Sequence, residues 1–375
     1  MATPGPIRVL IVDDSALMRK LLKDLLSGSE EIEVVGLAND GEHALEQAVK
    51  LQPDVITLDV EMPGRSGLEI LPDLLARRPV PVLMISSLTQ EGAETTLAAL
   101  ALGAVDYLPK PSSQQLSNMR AAGELVVAKV KAASRCRVMR QRTAGLGAGK
   151  PPSSTQLTPV ASALASASAS ATAVRPRGAA WPPAAKPAAC VVVGISTGGP
   201  QALDQVLPML RRPIPPMVVV QHMPGSFTGV FARRLAKLCG VHVAEAEAGM
   251  RLLPDQILIA PGGKQLTLVG HQPLIKVALS DDPPVSGHRP SVDVLFRSAA
   301  QVFGAGVVGV IMTGMGRDGA DGCKAILAAG GATFGQDEAT SVVYGMNKAA
   351  FVESAITRQF PLLEFADLIR SVSPG

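Results

Sequence analysis

The chain has 375 residues, which is enough for two domains, and 47% of them are hydrophobic, which is enough for sizeable cores. Only 3% are aromatic, so base stacking on nucleic acid is excluded as a main activity, and the net charge is a modest +3. The four cysteines have no CxxC spacing, and no stretch has the pattern of a signal peptide or membrane helix. We therefore expect a cytoplasmic protein with reduced thiols that is not inserted in a membrane.

Short β-rich runs alternate with helical patterns over residues 7–126. Apolar spacing predicts amphipathic helices at 15–28 and 40–52. The predicted strands occupy 8–12, 33–38, 54–59, 81–86 and 105–110. Five strands alternating with helices indicate a domain with a doubly wound parallel sheet, and its function is expected at the carboxyl ends of the strands.

The composition changes over residues 127–188, which we interpret as a linker. It is rich in Ala, Ser and Pro, and it includes the low-complexity run 161–173. It also lies within a segment, 125–203, that has ten Lys or Arg and no acidic residue. Such a sequence cannot bury enough apolar surface to fold, so we expect a flexible tether. A basic segment of this kind could also contact a membrane surface or nucleic acid.

A second alternating pattern occupies residues 189–373 and predicts a second α/β domain. Helical patterns appear at 291–303 and 319–331. The candidate strands are 190–195, 217–221, 257–261, 274–279 and 307–314.

Polar groups end four of the strands in the first domain. Because carboxyl ends of parallel strands share one edge, these groups are expected to converge. They are Asp13, Asp14, Asp59, Ser86 and Lys110. Three carboxylates together suit Mg²⁺, and a lysine and a hydroxyl beside them suit a phosphoryl group. An aspartate at a strand end can also simply cap the next helix, but five such groups in register favour a site.

This pattern, with the DD pair, LDVEMP (58–63), ISS (85–87) and LPKP (108–111), resembles the receiver domain of two-component response regulators. The resemblance implies a flavodoxin-like fold in which Asp59 accepts phosphate from a histidine kinase. Asp13, Asp14, Asp59 and the backbone carbonyl of Glu61 would hold Mg²⁺. Ser86 and Lys110 would contact the phosphoryl oxygens.

The second domain begins with the run GISTGGP (194–200) after an apolar strand. It lacks the lysine of a P-loop and the second glycine of a dinucleotide-binding fingerprint. It does match GxSxG, which places Ser196 on a sharp turn from strand to helix. A serine hydroxyl needs a base within hydrogen-bond reach to act as a nucleophile.

The base and its acid are chosen by their position at the same strand-end edge. His222 directly follows the strand 217–221, whereas His288 lies in a loop and is the second choice. Asp318 lies in a glycine-dense loop after the strand 307–314, and we choose it as the acid that orients the histidine. Asp321 could instead cap the following helix. The other candidates for the acid are Asp281, Asp282 and Asp293.

GISTGGP, QHMP (221–224), RPSVDVLF (289–296) and MTGMGRDGADG (312–322) together resemble the CheB family of chemotaxis protein-glutamate methylesterases. With the receiver-like domain in front, the resemblance covers essentially the full chain. It implies a Ser196–His222–Asp318 triad, with Thr197 and Met315 at the oxyanion region. It also implies a catalytic domain without a cofactor, methylated chemoreceptors as substrates for ester hydrolysis and glutamine deamidation, and control by phosphorylation.

Two alternatives remain from the residues themselves. The chain could be a regulator whose output is binding, to nucleic acid or protein, although no helix-turn-helix pattern is present and nucleic acid is not expected. It could also be a hydrolase of a different methylated protein, since substrate choice depends on surface shape.

Overall fold

The structure is a computed structural model, and it describes residues 5–110, 119–136 and 187–374. Two parallel sheets and one antiparallel hairpin organise these ranges. None of the helices within them is long and apolar enough to cross a bilayer.

The first body is a five-stranded parallel sheet with the strand order β2-β1-β3-β4-β5. Its strands are β1 Ile7–Val12, β2 Ile32–Ala38, β3 Val55–Asp59, β4 Val82–Ser86 and β5 Asp106–Pro109. Its helices are α1 Ala16–Ser27, α2 Gly41–Leu51, α3 Gly67–Arg77, α4 Gln90–Leu102 and α5 Met119–Ser134. The order reverses between β1 and β3, so their carboxyl ends form a crevice.

Side-chain caps begin four helices of this body. Ser15, Asp40 and Thr89 each accept a hydrogen bond from a backbone amide three residues later. Ser66 and Glu69 form a reciprocal capping box at α3. Each cap satisfies an amide that the helix itself cannot pair, so the turns after the strands are locally encoded.

The second body is a seven-stranded parallel sheet with the order β14-β13-β12-β6-β7-β9-β8. Its strands are β6 Cys190–Ile195, β7 Met217–Gln221, β8 His242–Glu245, β9 Gln256–Ile259, β12 Val307–Ile311, β13 Ala332–Gln336 and β14 Arg358–Phe360. Its helices are α6 Gly199–Val206, α7 Gly225–Leu238, α8 Val292–Phe303, α9 Ala320–Ala328, α10 Met346–Val352 and α11 Phe365–Val372.

The chain builds this sheet outward from β6, first toward β7 and then, after α8, toward β12 on the other side. The crevice between β6 and β12 is therefore the switch point of the sheet. The central strands β6, β7 and β12 are fully buried runs rich in valine, as expected for strands covered by helices on both faces.

Residues 274–279 form a strand, as predicted, but this strand is not part of the parallel sheet. It lies in β11 Leu274–Ser280, which pairs antiparallel with β10 Gln265–His271 in a separate hairpin. The connection between the two strands is only two residues long, which permits a hairpin but not a parallel crossover. The first residues of β11 also alternate between exposed and buried, as in a strand with one wet face. Strands β10, β13 and β14 were not predicted.

The predicted domain limits stay a prediction. Helix α5 runs across the predicted boundary between residues 126 and 127 and packs against α1. Most of the predicted linker, residues 137–186, lies outside the described ranges.

The two bodies touch through α4, β5 and the loop after β6. The ring of Tyr107 on β5 stacks on Phe227 of α7, with centroids 4.8 Å apart. Helix α4 packs against α6 and α7. The contact places the first body against the carboxyl edge of the second sheet, where the candidate nucleophile lies.

We predict that Gly194→Ala destabilises the second body by about 1–3 kcal/mol, because overpacking a filled core forces side chains to shift. A Cβ at Gly194 would lie 2.3 Å from Cγ1 of Val292, a fully buried residue that begins α8. Urea unfolding followed by circular dichroism measures the change. Gly240→Ala is the control, since a Cβ there meets nothing within 4 Å and should change stability by less than about 0.5 kcal/mol. Equal stability of the two variants would contradict the close contact.

Candidate functional sites

Three carboxylates meet at the carboxyl edge of the first sheet, as predicted. Asp13 and Asp14 follow β1, Asp59 ends β3, and ligand atoms of all three lie within 4.8 Å of one another. Asp13 and Asp59 are fully buried, whereas Asp14 is exposed. One oxygen of Asp13, Oδ2, is buried with no hydrogen-bond partner among the described residues. An acidic cluster with an unpaired buried oxygen fits a divalent cation such as Mg²⁺.

Lys110 completes this edge. Its Nζ donates a hydrogen bond of 2.8 Å to Oδ2 of Asp59. Burial raises the pKa of Asp59 to about 6, and the charge of Asp13 raises it too, while the hydrogen bond from Lys110 opposes both. Burial also raises the pKa of Asp13. The raised pKa values mean that the negative charges of these two carboxylates are not fully compensated by nearby positive charge. A bound cation would supply the missing positive charge.

The resemblance implies that Ser86 contacts the phosphoryl oxygens and that the backbone carbonyl of Glu61 holds Mg²⁺, and both residues lie at this edge. The hydroxyl of Ser86 is buried, donates to the carbonyl of Gly92 at 3.1 Å and accepts from Thr96 Oγ1 at 2.6 Å. Glu61 is exposed, and its backbone amide donates to Asp59 Oδ1 at 3.2 Å. Contact of Ser86 with a phosphoryl oxygen would require its hydroxyl to leave Gly92 and Thr96.

Ser196 lies on the predicted turn between β6 and α6, at the switch point of the second sheet. Its amide donates to the carbonyl of Thr313 after β12, and its carbonyl accepts from Gly199. Gly198 has a φ of +78°, which a residue with a side chain rarely adopts. Gly314 must also lack a side chain, since a Cβ there would lie 2.8 Å from Cβ of Ser196. The glycines therefore shape the turn that carries the serine.

His222 and Asp318 form a buried pair beside this turn. The Nε2 atom of His222 lies 2.9 Å from Oδ2 of Asp318, and both side chains are almost fully buried. Asp318 accepts further hydrogen bonds from the Ser291 hydroxyl, the Val292 amide and the Asp293 amide, at 2.8, 2.8 and 3.0 Å. Burial alone would raise the pKa of Asp318, but His222 and the two amides lower it below its ordinary value.

The hydrogen bond between Ser196 and His222 is not formed in the described structure. Nδ1 of His222 is buried without a partner, and the Ser196 hydroxyl makes no hydrogen bond to any described residue. The backbone amides of Thr197 and Met315 likewise have no acceptor in the part of the chain that the structure describes. The edge thus combines a free hydroxyl, a free ring nitrogen and two free amides.

His288, the second choice for the base, lies flat against His222. The ring centroids are 3.7 Å apart and the planes differ by 7°. Burial lowers the pKa of His288 to about 4, and the neighbouring charge of His222 lowers it further in the same direction. His288 is therefore neutral at physiological pH and does not repel a protonated His222.

Residues of the first body reach this site directly. Asp106 on β5 accepts a hydrogen bond of 2.7 Å from the Thr197 hydroxyl and forms an ion pair of 2.7 Å with Lys129 on α5. Gln201 on α6 donates to the carbonyls of Ala104 and Val105. Asp106 and Thr197 are both buried, so the first body covers the residue next to Ser196. The sequence analysis did not identify Asp106 or Gln201.

Comparisons with known proteins identify both bodies. A family model described as CheB methylesterase matches residues 191–369, and one described as response regulator receiver domain matches residues 9–121. The protein-glutamate methylesterase/protein-glutamine glutaminase of Symbiobacterium thermophilum is 45% identical over 99% of this chain and 98% of its own length. The chain belongs to the family of protein-glutamate methylesterases/protein-glutamine glutaminases.

Two further matches are a second relative and a solved structure. The protein-glutamate methylesterase/protein-glutamine glutaminase 1 of Geobacter metallireducens is 42% identical over 96% of this chain and 94% of its own. A solved structure of the Thermotoga maritima CheB methylesterase catalytic domain is 35% identical, covers 48% of this chain and 97% of that chain, and has a TM-score of 0.48. The predicted family and the predicted pair of α/β domains are confirmed. The names of these two relatives do not support a nucleic-acid-binding output.

The stacked histidines of this methylesterase family member make stability depend on pH. Between about pH 4 and pH 6.5, His288 binds a proton in the unfolded chain but not in the folded one. The unfolded state then holds more protons, so stability rises with pH and is lost as the pH falls through this window. The contribution is at most about 1.4 kcal/mol per pH unit. We predict that His288→Gln flattens the profile, measured by urea unfolding at about pH 5 and about pH 7. An unchanged slope would contradict the low pKa.

Proposed function

We propose that this chain hydrolyses glutamate methyl esters on methyl-accepting chemoreceptors, deamidates specific glutamines on them, and is switched by phosphorylation of its receiver domain. The observation that carries the proposal is the buried His222–Asp318 pair beside Ser196 at the switch point of the second sheet. The names of its relatives support the ester and amide substrates.

Ser196 is the proposed nucleophile, with His222 as its base. A carboxylate can only accept hydrogen bonds, so in neutral His222 the proton lies on Nε2, facing Asp318. The lone pair is then on Nδ1, the atom without a partner. When substrate binds, Ser196 Oγ attacks the ester carbonyl carbon and its proton passes to Nδ1. Asp318 stays ionised and stabilises the resulting imidazolium.

The backbone amides of Thr197 and Met315 are the proposed oxyanion donors. Neither has an acceptor among the described residues, so both can donate to the oxygen that gains charge in the tetrahedral intermediate. Preorganised donors of this kind supply about 3–4 kcal/mol each in serine hydrolases.

The remaining steps use the same residues. The bond from the carbonyl carbon to the methoxy oxygen breaks, and His222 gives its proton to that oxygen, which leaves as methanol. Water then attacks the acyl-Ser196 and passes one proton to His222, which returns it to Ser196 Oγ as the acyl bond breaks. The product is a glutamic acid carboxyl group, which releases its remaining proton to solvent and becomes a carboxylate. A glutamine substrate follows the same path with ammonia as the leaving group.

Asp59 is the proposed phosphoacceptor, with a histidine kinase as the phosphodonor. Asp13, Asp14, Asp59 and the backbone carbonyl of Glu61 would hold Mg²⁺, which supplies charge neutralisation when bound. Lys110 already contacts Asp59 and would follow the phosphoryl oxygens. Ser86 would turn from Gly92 toward the same oxygens. The catalytic domain needs no cofactor for this chemistry, and we place the reaction in the cytoplasm.

The receiver is proposed to restrain the enzyme by covering its substrate edge. Asp106 holds the Thr197 hydroxyl, and Gln201 binds the backbone at the start of β5. A receptor helix cannot reach Ser196 while these contacts persist. Phosphorylation would shift the population toward a state in which they are broken.

The first test is the rate of methanol release from methylated receptor membranes, with Mg²⁺ and a small-molecule phosphodonor. We predict that Ser196→Ala lowers this rate by about 10⁶-fold, as loss of the nucleophile does in serine proteases, while receptor binding persists. Ser371→Ala, in α11 at the opposite end of the domain sequence, is the control and should match the wild type. A Ser196→Ala variant that kept more than about a tenth of the rate would refute the assignment.

A second prediction concerns the restraint. Asp106→Ala removes the acceptor for Thr197, and a hydrogen bond to a charged group contributes about 1.5–3 kcal/mol. We expect the rate without phosphodonor to rise by about fivefold or more, while the rate with phosphodonor stays the same. Methanol release with and without phosphodonor measures both.

Two variants serve as references for the Asp106 experiment. Asp73→Ala removes an exposed carboxylate that pairs with Arg65 on the receiver and should leave both rates unchanged. Asp59→Asn should keep the low rate with and without phosphodonor. An Asp106→Ala rate equal to that of the wild type without phosphodonor would remove Asp106 from the restraint.

A further inference from the structure

Two buried carboxylates at the second site cap neighbouring helices in a reciprocal way. Asp318 caps α8, and Asp293 caps α9. Asp318 precedes α9 and accepts from the first amides of α8, those of Val292 and Asp293. Asp293 lies in the first turn of α8 and accepts from Gly319 and Gly322 at the start of α9, at 3.0 and 2.7 Å. Neither helix has a side-chain hydrogen bond from its own N-cap residue. The exchange of caps therefore satisfies the free amides of both helices.

The position of Asp293 gives it direct control over the backbone at Asp318. The amide of Gly319, which Asp293 binds, belongs to the peptide bond that joins Asp318 to Gly319. Asp293 is 1% exposed, so its carboxylate is not shared with bulk water. Its other oxygen accepts from the Ser286 hydroxyl at 3.3 Å. Asp293 does not itself contact His222; the carboxylate that does so is that of Asp318.

Close packing of α8 and α9 makes this contact possible. A Cβ on Gly322 would lie 2.5 Å from Cβ of Phe296 and 3.2 Å from Cα of Asp293. Gly319 has a φ of +95°, and a Cβ there would lie 2.7 Å from Cγ1 of Val292. Only glycines at these two positions let their amides reach the Asp293 carboxylate. The two helices are thus fixed to each other at the point where Asp318 leaves the loop.

We propose that Asp293 is a positioning residue for the hydrolysis: through the Gly319 and Gly322 amides it fixes the backbone of Asp318, and thereby the orientation of His222. The inference rests on the proposed Ser196–His222–Asp318 function. Without Asp293, the start of α9 loses its cap and the loop can shift. A displacement of about 1 Å at a catalytic group costs about 10²-fold in rate, without any loss of substrate contacts.

The test measures kcat and KM of the phosphodonor-activated full chain. Asp293→Ala is expected to lower kcat by about 10- to 100-fold, the range found when a residue that orients an active-site group is removed. KM should change by less than about twofold, because Asp293 is buried and does not face substrate. Covalent labelling of Ser196 by a small fluorophosphonate should slow by the same factor as kcat, since it needs His222 but no receptor.

The conservative variant separates positioning from bulk stability. Asp293→Asn keeps one oxygen that can accept from both Gly319 and Gly322, so it should recover at least about tenfold of the lost kcat. Asp321→Ala is the matched control, because Asp321 is an exposed acid in the first turn of α9 that pairs with Arg317 instead. It should retain the wild-type kcat and labelling rate. Circular dichroism and thermal unfolding give the folded fraction used to normalise each rate.

Each outcome decides the inference. A normalised Asp293→Ala kcat within about twofold of the wild type, or equal losses in Asp293→Ala and Asp293→Asn, would overturn it. If Asp293→Ala is not recovered folded, Asp293→Ser replaces it, since a hydroxyl stays polar but is too short to reach both amides; wild-type kcat in that variant would also overturn the inference. Activity that survives in Ser196→Ala would instead refute the proposed function on which the inference rests.

Discussion

The buried charge of Asp318 is the constraint on which the catalytic half of the molecule depends. An ionised carboxylate taken out of water costs several kcal/mol unless hydrogen bonds replace its hydration. Asp318 receives four of them, from His222, from the Ser291 hydroxyl and from two amides at the start of α8. Those donors come from two separate parts of the chain, His222 after β7 and residues 291–293 at the start of α8, and Asp318 itself lies in a third, the loop after β12. Satisfying one side chain therefore fixes β7, α8 and the loop after β12 relative to one another.

The small residues around this carboxylate follow from the same requirement. The first amides of α8 reach Asp318 only if Val292 lies directly on the sheet. Both Gly194 of β6 and Gly319 would collide with Val292 if they carried a Cβ. The glycine-rich appearance of the second domain is thus a packing requirement as much as a property of its turns. This close packing brings the N-terminus of α8, with its partial positive charge, to the carboxylate of Asp318.

The two sheets use the same edge for different chemistry because their carboxylates are satisfied differently. At the first edge, Asp13 keeps a buried oxygen without a partner, and Asp59 has a pKa raised by burial to about 6. That edge has more carboxylates than Lys110 alone can neutralise, so it suits a cation and a phosphoryl group. At the second edge Asp318 has a full set of donors and a lowered pKa. It suits a histidine that must hold a proton for part of each turnover.

The residues that end strands could be predicted from the sequence. Contacts between segments that are far apart in the chain could not. Ser196, His222 and Asp318 each follow a buried apolar run, so their common edge could be predicted from the α/β pattern. The same signal favoured Asp318 over Asp293, which lies in the first turn of α8. No local pattern indicated that Asp293 binds the amides at the start of α9, because that contact depends on how α8 and α9 pack. The strand 274–279 was predicted, but its antiparallel pairing with β10 was not, because an apolar run does not reveal its pairing partner.

Sequence patterns also could not predict the contacts between the two bodies. The free energy of the hydrogen bonds among these contacts suits a switch. The hydrogen bonds between the bodies run from Thr197 and Gln201 to the β5 region of the receiver, and from the Cys136 thiol to the carbonyl of Val342. Asp106 at the start of β5 and Lys110 just past its end are four residues apart, about 13 Å along a strand. A phosphoryl group on Asp59 would attract Lys110 and form one to three new charge-assisted hydrogen bonds. That free energy is of the same order as the hydrogen bonds that hold Thr197. The interface also contains the Tyr107–Phe227 stack and the packing of α4 against α6 and α7, so breaking these polar contacts begins its release but is not the whole of it.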